Sequence, residues 1–308
     1  MISILLAAWN GEKYIAEQLD SLLSQTVQNF RLYVSDDCSA DGTFQILQDY
    51  RRRYPDKIFI TRRSQNSSNA KHNFFDLMTA HKDDYVMLCD QDDVWLPRKI
   101  ELTLEKMKQL ESLYGKEMPL LVHTDLHIVD AGLRVLCPSY RLAMNANYRR
   151  TELKDSIIQN ILTGCTVMYN RALSELVQKE PDYMHMHDWW LMLIASAFGA
   201  IGHVDEQTIL YRQHSHNSIG ARDMRSPLYK CSRLLHAGQV RQAIAITYPQ
   251  AQSFLDMYRS RLTREQIQFL ESYCEIPRLP KWRRVQRLFQ LGTLKNSLSR
   301  QIAHILFV

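Results

Sequence analysis

The 308-residue chain has no long apolar run, no paired cysteines and no glycine-rich phosphate loop. Each absence excludes something. No stretch nears the roughly 20 apolar residues that a membrane-spanning helix requires, since the runs 2–9 and 302–308 are far too short. Met1 leads straight into a strand-like segment, without the basic stretch and cleavage site of a secretory signal. Cys38, Cys89, Cys137, Cys165, Cys231 and Cys274 are scattered and form no CxxC pair, which reads as buried thiols of a reducing compartment. There is no Walker loop, no GxGxxG and no Ser-His-Asp arrangement. Hydrophobic residues at 45% and charged residues at 23% match an ordinary globular protein and exclude a disordered or collagen-like chain. The expectation is a cytoplasmic protein of one large domain or two modest ones.

Charge is more informative when divided. The net charge is +5, but residues 222–308 carry 15 Lys and Arg against 5 Asp and Glu, while residues 1–221 carry 23 against 28. A basic appendage of this kind either meets an anionic surface, membrane or nucleic acid, or is a helical region with a solvated basic face. No internal repeat or low-complexity tract is present.

The apolar run 2–8 ends at Asn10-Gly11 and reads as a buried strand closed by a turn. Residues 12–25 then place Ile15, Leu19, Leu22 and Leu23 at helical spacing. Residues 30–34, 57–61 and 85–89 read as further strands, with helices over 43–53 and 71–81 between them. Strict alternation of this kind predicts an α/β fold with a parallel sheet and helices on both faces. Such sheets bind ligands beyond the carboxyl ends of their strands. Beyond residue 120 the pattern mixes strands (120–126, 163–170, 207–211) with an apolar helix over 188–197. After residue 222 the pattern becomes helical and basic.

Two acidic clusters lie at strand ends. Asp90-Gln91-Asp92-Asp93 puts three carboxylates in four residues, where mutual repulsion and desolvation call for a cation. Oxygen-only ligation with few protein groups suits Mg²⁺ or Mn²⁺ held jointly with a phosphorylated ligand. The structural alternative is a capped turn, with Asp93 as N-cap and Pro97 in the first turn of a helix over 95–110. The second cluster, Asp36-Asp37-Cys38-Ser39-Ala40-Asp41-Gly42-Thr43, either accepts hydrogen bonds from a base or a ribose or is a loop of turn formers.

Ala8-Trp-Asn-Gly-Glu after the first strand, Val34-Ser-Asp-Asp-Cys-Ser-Ala-Asp-Gly-Thr after the second and Leu88-Cys-Asp-Gln-Asp-Asp-Val-Trp-Leu-Pro after the fourth together resemble the inverting family 2 glycosyltransferases of GT-A fold. The resemblance continues to about residue 220 through Thr163-Gly-Cys-Thr, His187-Asp-Trp-Trp and Tyr211-Arg-Gln-His. Asp-Gln-Asp-Asp-Val-Trp with the last two motifs is similar to the bacterial rhamnosyltransferase branch. The resemblance implies a Rossmann-like, mostly parallel central sheet at 1–221, divided into a nucleotide-sugar half (about 1–115) and an acceptor half (about 116–221). A basic helical region at 222–308 follows. It implies that Ala8, Asn10 and Glu12 line the nucleotide pocket, with Asp37 or Asp36 on the base and Asn73 nearby. Asp90 and Asp92 match the Asp-x-Asp motif, with Gln91 between them on the nucleotide sugar, Asp92 on a divalent Mn²⁺ or Mg²⁺ and Asp93 sharing the task. His214 completes the metal site or contacts diphosphate, beside Arg212. Asp188 matches the catalytic base, although an Asp at a helix start is also a common N-cap. Trp189, Trp190 and Gly164 are candidates for the acceptor side, with one of the tryptophans in the core. His185 and His187 have a spacing that could chelate a metal on a strand, but the neighbouring family motif explains that segment better, and His123 with His127 read as ordinary fold residues.

The implied reaction moves L-rhamnose from dTDP-β-L-rhamnose onto a lipid-linked saccharide in bacterial capsule, O-antigen or cell-wall polysaccharide synthesis. A UDP-hexose donor, with glucose, galactose or an N-acetylhexosamine, is the alternative within the class. The Gln-x-x-Arg-Trp signature of processive synthases is absent, which favours addition of one or a few sugars. A sugar nucleotidyltransferase would need a Gly-rich basic loop that residues 7–13 lack, and a non-catalytic nucleotide-binding or RNA-binding module would not need every acid intact. No nucleic-acid partner is expected. In the tail, Trp282, Val285, Leu288 and Phe289 fall on one helical face flanked by Arg283, Arg284 and Arg287. That pattern fits peripheral contact with the inner face of an anionic cell membrane, or packing against the catalytic domain or a second subunit.

Overall fold

A computed structural model describes residues 1–214 and 237–308. The 221/222 boundary, Cys231 and the residues following His214 in the last motif lie outside the described residues. The chain divides into two units: Met1–Tyr140 with Leu162–Glu180 and Ala200–Ala221, and Arg141–Ile161 with Pro181–Gly199 and Arg222–Val308.

The first unit is built on one sheet. Its elements are β1 (Ile2–Ala8), α1 (Ile15–Leu23), β2 (Phe30–Asp36), α2 (Thr43–Arg53), β3 (Ile58–Arg62), α3 (Ala70–Ala80), β4 (Tyr85–Cys89), β5 (Val94–Trp95), α4 (Lys99–Tyr114), β6 (Leu120–Val129) and β7 (Val135–Cys137). After α5 (Tyr140–Met144) and α6 (Leu153–Ser156) come β8 (Val167–Asn170), α7 (Arg171–Ser174), α8 (His187–Phe198) and β9 (Ala200–Arg212), of which α6 and α8 belong to the second unit. The strand order is β3-β2-β1-β4-β8-β6-β9-β5, with β7 paired to β6. β1 to β4 are all parallel, as the alternation predicts. The other half is mixed: β8 runs antiparallel to β4 and β6, whereas β9 is parallel to β6. In β1, Ile2, Ile4, Leu5 and Leu6 are all buried, so both faces of the strand are covered. Each such side chain contributes about 1.5–3 kcal/mol on leaving water.

Two element boundaries differ from the sequence pattern. The helix expected over 95–110 begins only at Lys99, after the N-cap Arg98. Val94 and Trp95 instead pair with Leu210 and Ile209 of β9, and Leu96 N–H donates to Thr208 O at 2.9 Å. Pro97 disfavours helical backbone at Leu96, so those residues bond to the β9 edge. In the segment 163–170, Gly164–Thr166 form a 3₁₀ turn, closed by Thr166 Oγ1 donating to Thr163 O at 2.6 Å, and the strand starts at Val167.

The second unit is helical. α8 is buried from His187 to Ala195, and Trp190 packs edge-on against Phe254 with ring centroids 5.4 Å apart. The helices Ala237–Ala245, Thr247–Tyr258, Arg264–Cys274, Lys281–Leu291 and Leu298–Phe307 follow. Arg264–Cys274 opens with a capping box between Thr263 and Gln266, and Gln266 Nε2 also donates to Ala197 O at 2.7 Å. The apolar face expected on 281–291 is split. Leu288 is fully buried and Val285 half-buried, while Trp282 and Phe289 are exposed. Among the described residues no helix is long and apolar enough to cross a membrane. Cys38, Cys89, Cys137, Cys165 and Cys274 are free thiols; Cys89 and Cys165 are buried and the others half-buried.

Candidate active site at the carboxyl ends of the strands

The parallel register brings the ends of β1, β2 and β4 side by side, and their loops are stitched together by side chains. Ala8 lies opposite Asp36, and Ala8 O accepts from Asp37 N at 2.8 Å. Asn10 takes a left-handed φ of 48°, which Asn tolerates better than most residues. From there its Oδ1 accepts from Ala40 N at 2.8 Å, while its own N–H donates to Ser39 Oγ at 2.9 Å. Glu12 Oε2 accepts from Gly42 N at 2.6 Å. Gln91 bridges to the first loop in both directions, accepting from Trp9 N and donating to Trp9 O, each at 2.8 Å.

Asp36 is fully buried and pairs with Arg62 Nε at 3.1 Å across the β2–β3 register. Asp37 accepts from both Ser67 N (2.7 Å) and Ser67 Oγ (2.6 Å), tying the 64–69 loop down over the end of β2. Asn73, buried in α3, donates to Ser35 O at 3.0 Å. The structure thus gathers Ala8, Asn10, Glu12, Asp36, Asp37, Asn73 and Gln91 around the carboxyl ends of the parallel strands.

The acidic turn after β4 divides its carboxylates. Ligand atoms of Asp90, Asp93 and Cys165 all lie within 4.8 Å of one another. Asp92 instead points to His214, with Nε2 at 2.8 Å from Oδ2, and His214 stacks on Tyr14 at 4.9 Å. Asp93 is fully buried and caps no helix. Its Oδ1 accepts from Arg212 N at 3.1 Å, its Oδ2 meets no nitrogen or oxygen donor, and the Cys165 thiol is its other hydrogen-bonding neighbour. Burial, then the charges of Asp92 and Asp90, push the Asp93 carboxyl well above the usual carboxylate range. Burial, followed by Asp93 and Asp90, likewise raises Cys165, so its sulfur stays a thiol. These residues fit a divalent cation, because a buried carboxylate oxygen without a nitrogen or oxygen donor beside a second carboxylate is what such an ion relieves.

Arg212 is spent on architecture. Only 2% exposed, it donates to Asp92 O at 2.8 Å and Ala131 O at 2.6 Å, pairs with Glu17 and lies 4.5 Å over the Tyr14 ring. It therefore fixes the backbone of the acidic turn. Two residues here were not singled out by sequence reasoning. Cys165 sits inside the Thr163-Gly-Cys-Thr motif next to Gly164, itself buried at the start of the 3₁₀ turn. Lys99 is fully buried at the start of α4, its Nζ over the Trp95 ring at 4.5 Å without a hydrogen-bond partner. Burial lowers it to about 8, opposed by the nearby Cys165, Cys89 and Asp93. The signal for Lys99 was present: with buried Thr103 and Met107 it forms an i, i+4, i+8 stripe on the inner face of α4.

Asp188, Trp189 and Trp190 belong to the second unit. Asp188 is the second residue of α8 after the N-cap Met186, and its Oδ1 accepts from Trp189 N at 2.6 Å. Trp189 donates through Nε1 to Ser156 O at 2.6 Å, and both tryptophan rings are buried. Trp190, at 0% exposure between Phe254 and Tyr258, is a core residue and offers no face to an acceptor.

A half-parallel, half-mixed sheet with acidic loops at its carboxyl ends defines an α/β domain of the GT-A type. Residues 3–118 match the family described as Glycosyl transferase family 2, and the chain carries a family 2 glycosyltransferase domain. Among curated proteins, it is 27% identical to the dTDP-rhamnosyl transferase RfbG of Shigella flexneri over 227 residues, 70% of this chain and 74% of that protein. Among solved structures, TarS 1–349 of S. aureus in complex with UDP-GlcNAc superposes with a TM-score of 0.59 at 17% identity, covering 98% of this chain and 86% of that one. The mannosyltransferase PcManGT of Pyrobaculum calidifontis, in complex with GDP-Man and Mn²⁺, gives 0.53 at 13% identity over 94% of this chain and 72% of its own. These two likenesses establish the fold.

Proposed function

We propose that the protein is a metal-dependent inverting glycosyltransferase that moves L-rhamnose from dTDP-β-L-rhamnose onto a lipid-linked saccharide of a bacterial surface polysaccharide. The observation that carries the reading is the acidic turn Asp90–Asp93, held rigid between Gln91 on one side and Arg212 on the other at the end of β4. The likeness to a dTDP-rhamnosyl transferase supports the donor. A UDP-hexose donor is the second reading, favoured by the TarS complex with UDP-GlcNAc.

On this reading the loops after β1 and β2 receive the nucleoside, with Asp37 on the base and the buried Asp36 behind it, paired to Arg62. Asp90, Asp92 and Asp93 would hold Mn²⁺ or Mg²⁺, with His214, 2.8 Å from Asp92, completing the site or contacting diphosphate. The bound cation supplies positive charge to the departing diphosphate. Asp188 takes the proton of the acceptor hydroxyl as that oxygen attacks the anomeric carbon from the face opposite the leaving group. It stands in the first turn of α8, where the positive end of the helix dipole favours a negative charge.

The test is a panel of nucleotide sugars supplied with Mn²⁺, scored by release of free nucleotide diphosphate. Consumption of dTDP-β-L-rhamnose ahead of UDP-glucose, UDP-galactose and UDP-N-acetylglucosamine supports the donor. Preference for a UDP-hexose replaces it with the second reading, and no release from any donor rejects the enzyme.

A further inference from the structure

The last helix of the chain is folded with its polarity reversed. In Leu298–Phe307, Arg300 and His304 are buried, at 6% and 1% exposure, and Arg300 donates to Met144 O at 2.6 Å. Leu298, Ile302 and Leu306, spaced at i, i+4 and i+8, stand in solvent at 73%, 50% and 53%. Three large aliphatic side chains on one helical face are not left in water without a reason. The neighbouring helix Lys281–Leu291 does the same with Trp282 (63%) and Phe289 (57%). The two helices meet at Lys281, whose Nζ donates to Leu306 O at 2.7 Å and Val308 O at 2.9 Å. Arg283 lies over the Trp282 ring at 4.9 Å, a pairing of aromatic and cation suited to a headgroup layer.

Charge selects the occupant. Residues 276–308 contain seven Lys and Arg and no Asp or Glu; Arg300 is buried and Arg287 pairs with Glu275, which leaves Arg278, Lys281, Arg283, Arg284 and Lys295. A protein surface that covered these stripes would need a matching acidic rim. An anionic bilayer supplies negative charge and apolar depth together. We infer that the helices Lys281–Leu291 and Leu298–Phe307 form a docking surface for an anionic lipid bilayer, inserting Trp282, Phe289, Leu298, Ile302 and Leu306 at the interface. The inference extends the acceptor side of the proposed function, and it is tested without any donor turnover, so either can fail alone.

The experiment is co-sedimentation of the full chain with phosphatidylcholine vesicles of rising phosphatidylglycerol content. Binding should grow with phosphatidylglycerol and weaken with salt. The variant Leu298→Glu/Ile302→Glu/Leu306→Glu should lose at least about tenfold in affinity with its thermal midpoint unchanged. A second measurement does not depend on that variant folding. Brominated lipid should quench the tryptophan fluorescence of the wild-type chain and spare that of Trp282→Phe. Absence of binding at every phosphatidylglycerol content would overturn the inference, as would equal binding by the folded triple variant or equal quenching of Trp282→Phe. So would a wild-type dimer that the triple variant converts to monomer, since the face would then be a subunit contact.

Discussion

Asp92 and Asp93 are adjacent, yet their surroundings separate them. Asp92 faces an imidazole at 2.8 Å; Asp93 is sealed among Cys165, Asp90 and the Arg212 backbone. Asp92→Ala should abolish donor turnover while circular dichroism stays native, and excess EDTA should do the same to the wild type. An active variant, or an enzyme indifferent to EDTA, would reject the metal. Because burial holds the Asp93 carboxyl above its ordinary range, a cation that binds it must displace a proton. Mn²⁺ affinity should therefore rise with pH, by up to about tenfold per pH unit for one proton released. Calorimetric titration in two buffers of different protonation enthalpy reads both the affinity and the proton. Asp188→Asn retains an oxygen that can accept from Trp189 N, so α8 should keep its first turn. Nucleotide binding should then survive while transfer falls by at least ~10²-fold, the loss expected for a general base. Turnover near wild type would remove Asp188 from that role.

At the scale of elements, the acidic turn is held by strands distant in sequence. β9 ends at Arg212, whose side chain reaches Asp92 O and Ala131 O, while β5 pairs with β9 just before the turn's exit into α4. Arg212→Met leaves those two carbonyls without their charged donor and should destabilise the first unit by about 2–4 kcal/mol. A urea midpoint lowered with an unchanged slope is the expected result; an unchanged midpoint would mean Arg212 is dispensable to the turn. The loop after β1 answers to a smaller device. A Cβ on Gly11 would run into the Gln91 side-chain amide. Gly11→Ala should therefore break the paired bonds of Gln91 to Trp9 and separate the first loop from the acidic turn.

At the scale of the whole molecule, the residues of the proposed function are divided between the two units. The first gathers the residues proposed for nucleotide and cation; the second holds Asp188 and the basic helices. A ligand that binds only the folded first unit stabilises it by mass action, by about 2.7 kcal/mol at a hundredfold excess over Kd. With Mn²⁺ present, dTDP should raise the thermal midpoint more than UDP or GDP if the donor is a dTDP-sugar. Equal shifts would leave base selectivity unsupported. The product of transfer from dTDP-β-L-rhamnose should be the α-rhamnoside, read from its anomeric proton and carbon signals by NMR, and a β-linked product would contradict inversion.

The parallel half of the sheet was legible because β1 to β4 are short, apolar and separated by amphipathic helices, so local periodicity implies parallel strands, though not their β3-β2-β1-β4 order. The acidic loops were legible because charge crowding at a strand end is a local property. The mixed half was not. β5 exists only because β9 offers it an edge, and Pro97 withholds those residues from the helix that their sequence otherwise suggests. Nor does spacing reveal that Asp92 turns to His214 while Asp93 turns to Cys165, since those partners are separated by 122 and 72 positions and meet only through the sheet. The same holds for the tail. Periodicity collected Trp282, Val285, Leu288 and Phe289 on one face, but packing took Leu288 inward, half-buried Val285 and left Trp282 and Phe289 out. Local sequence determined where strands, helices and charges fall; which side chains face one another was decided by long-range pairing, because burial is a property of the assembled chain.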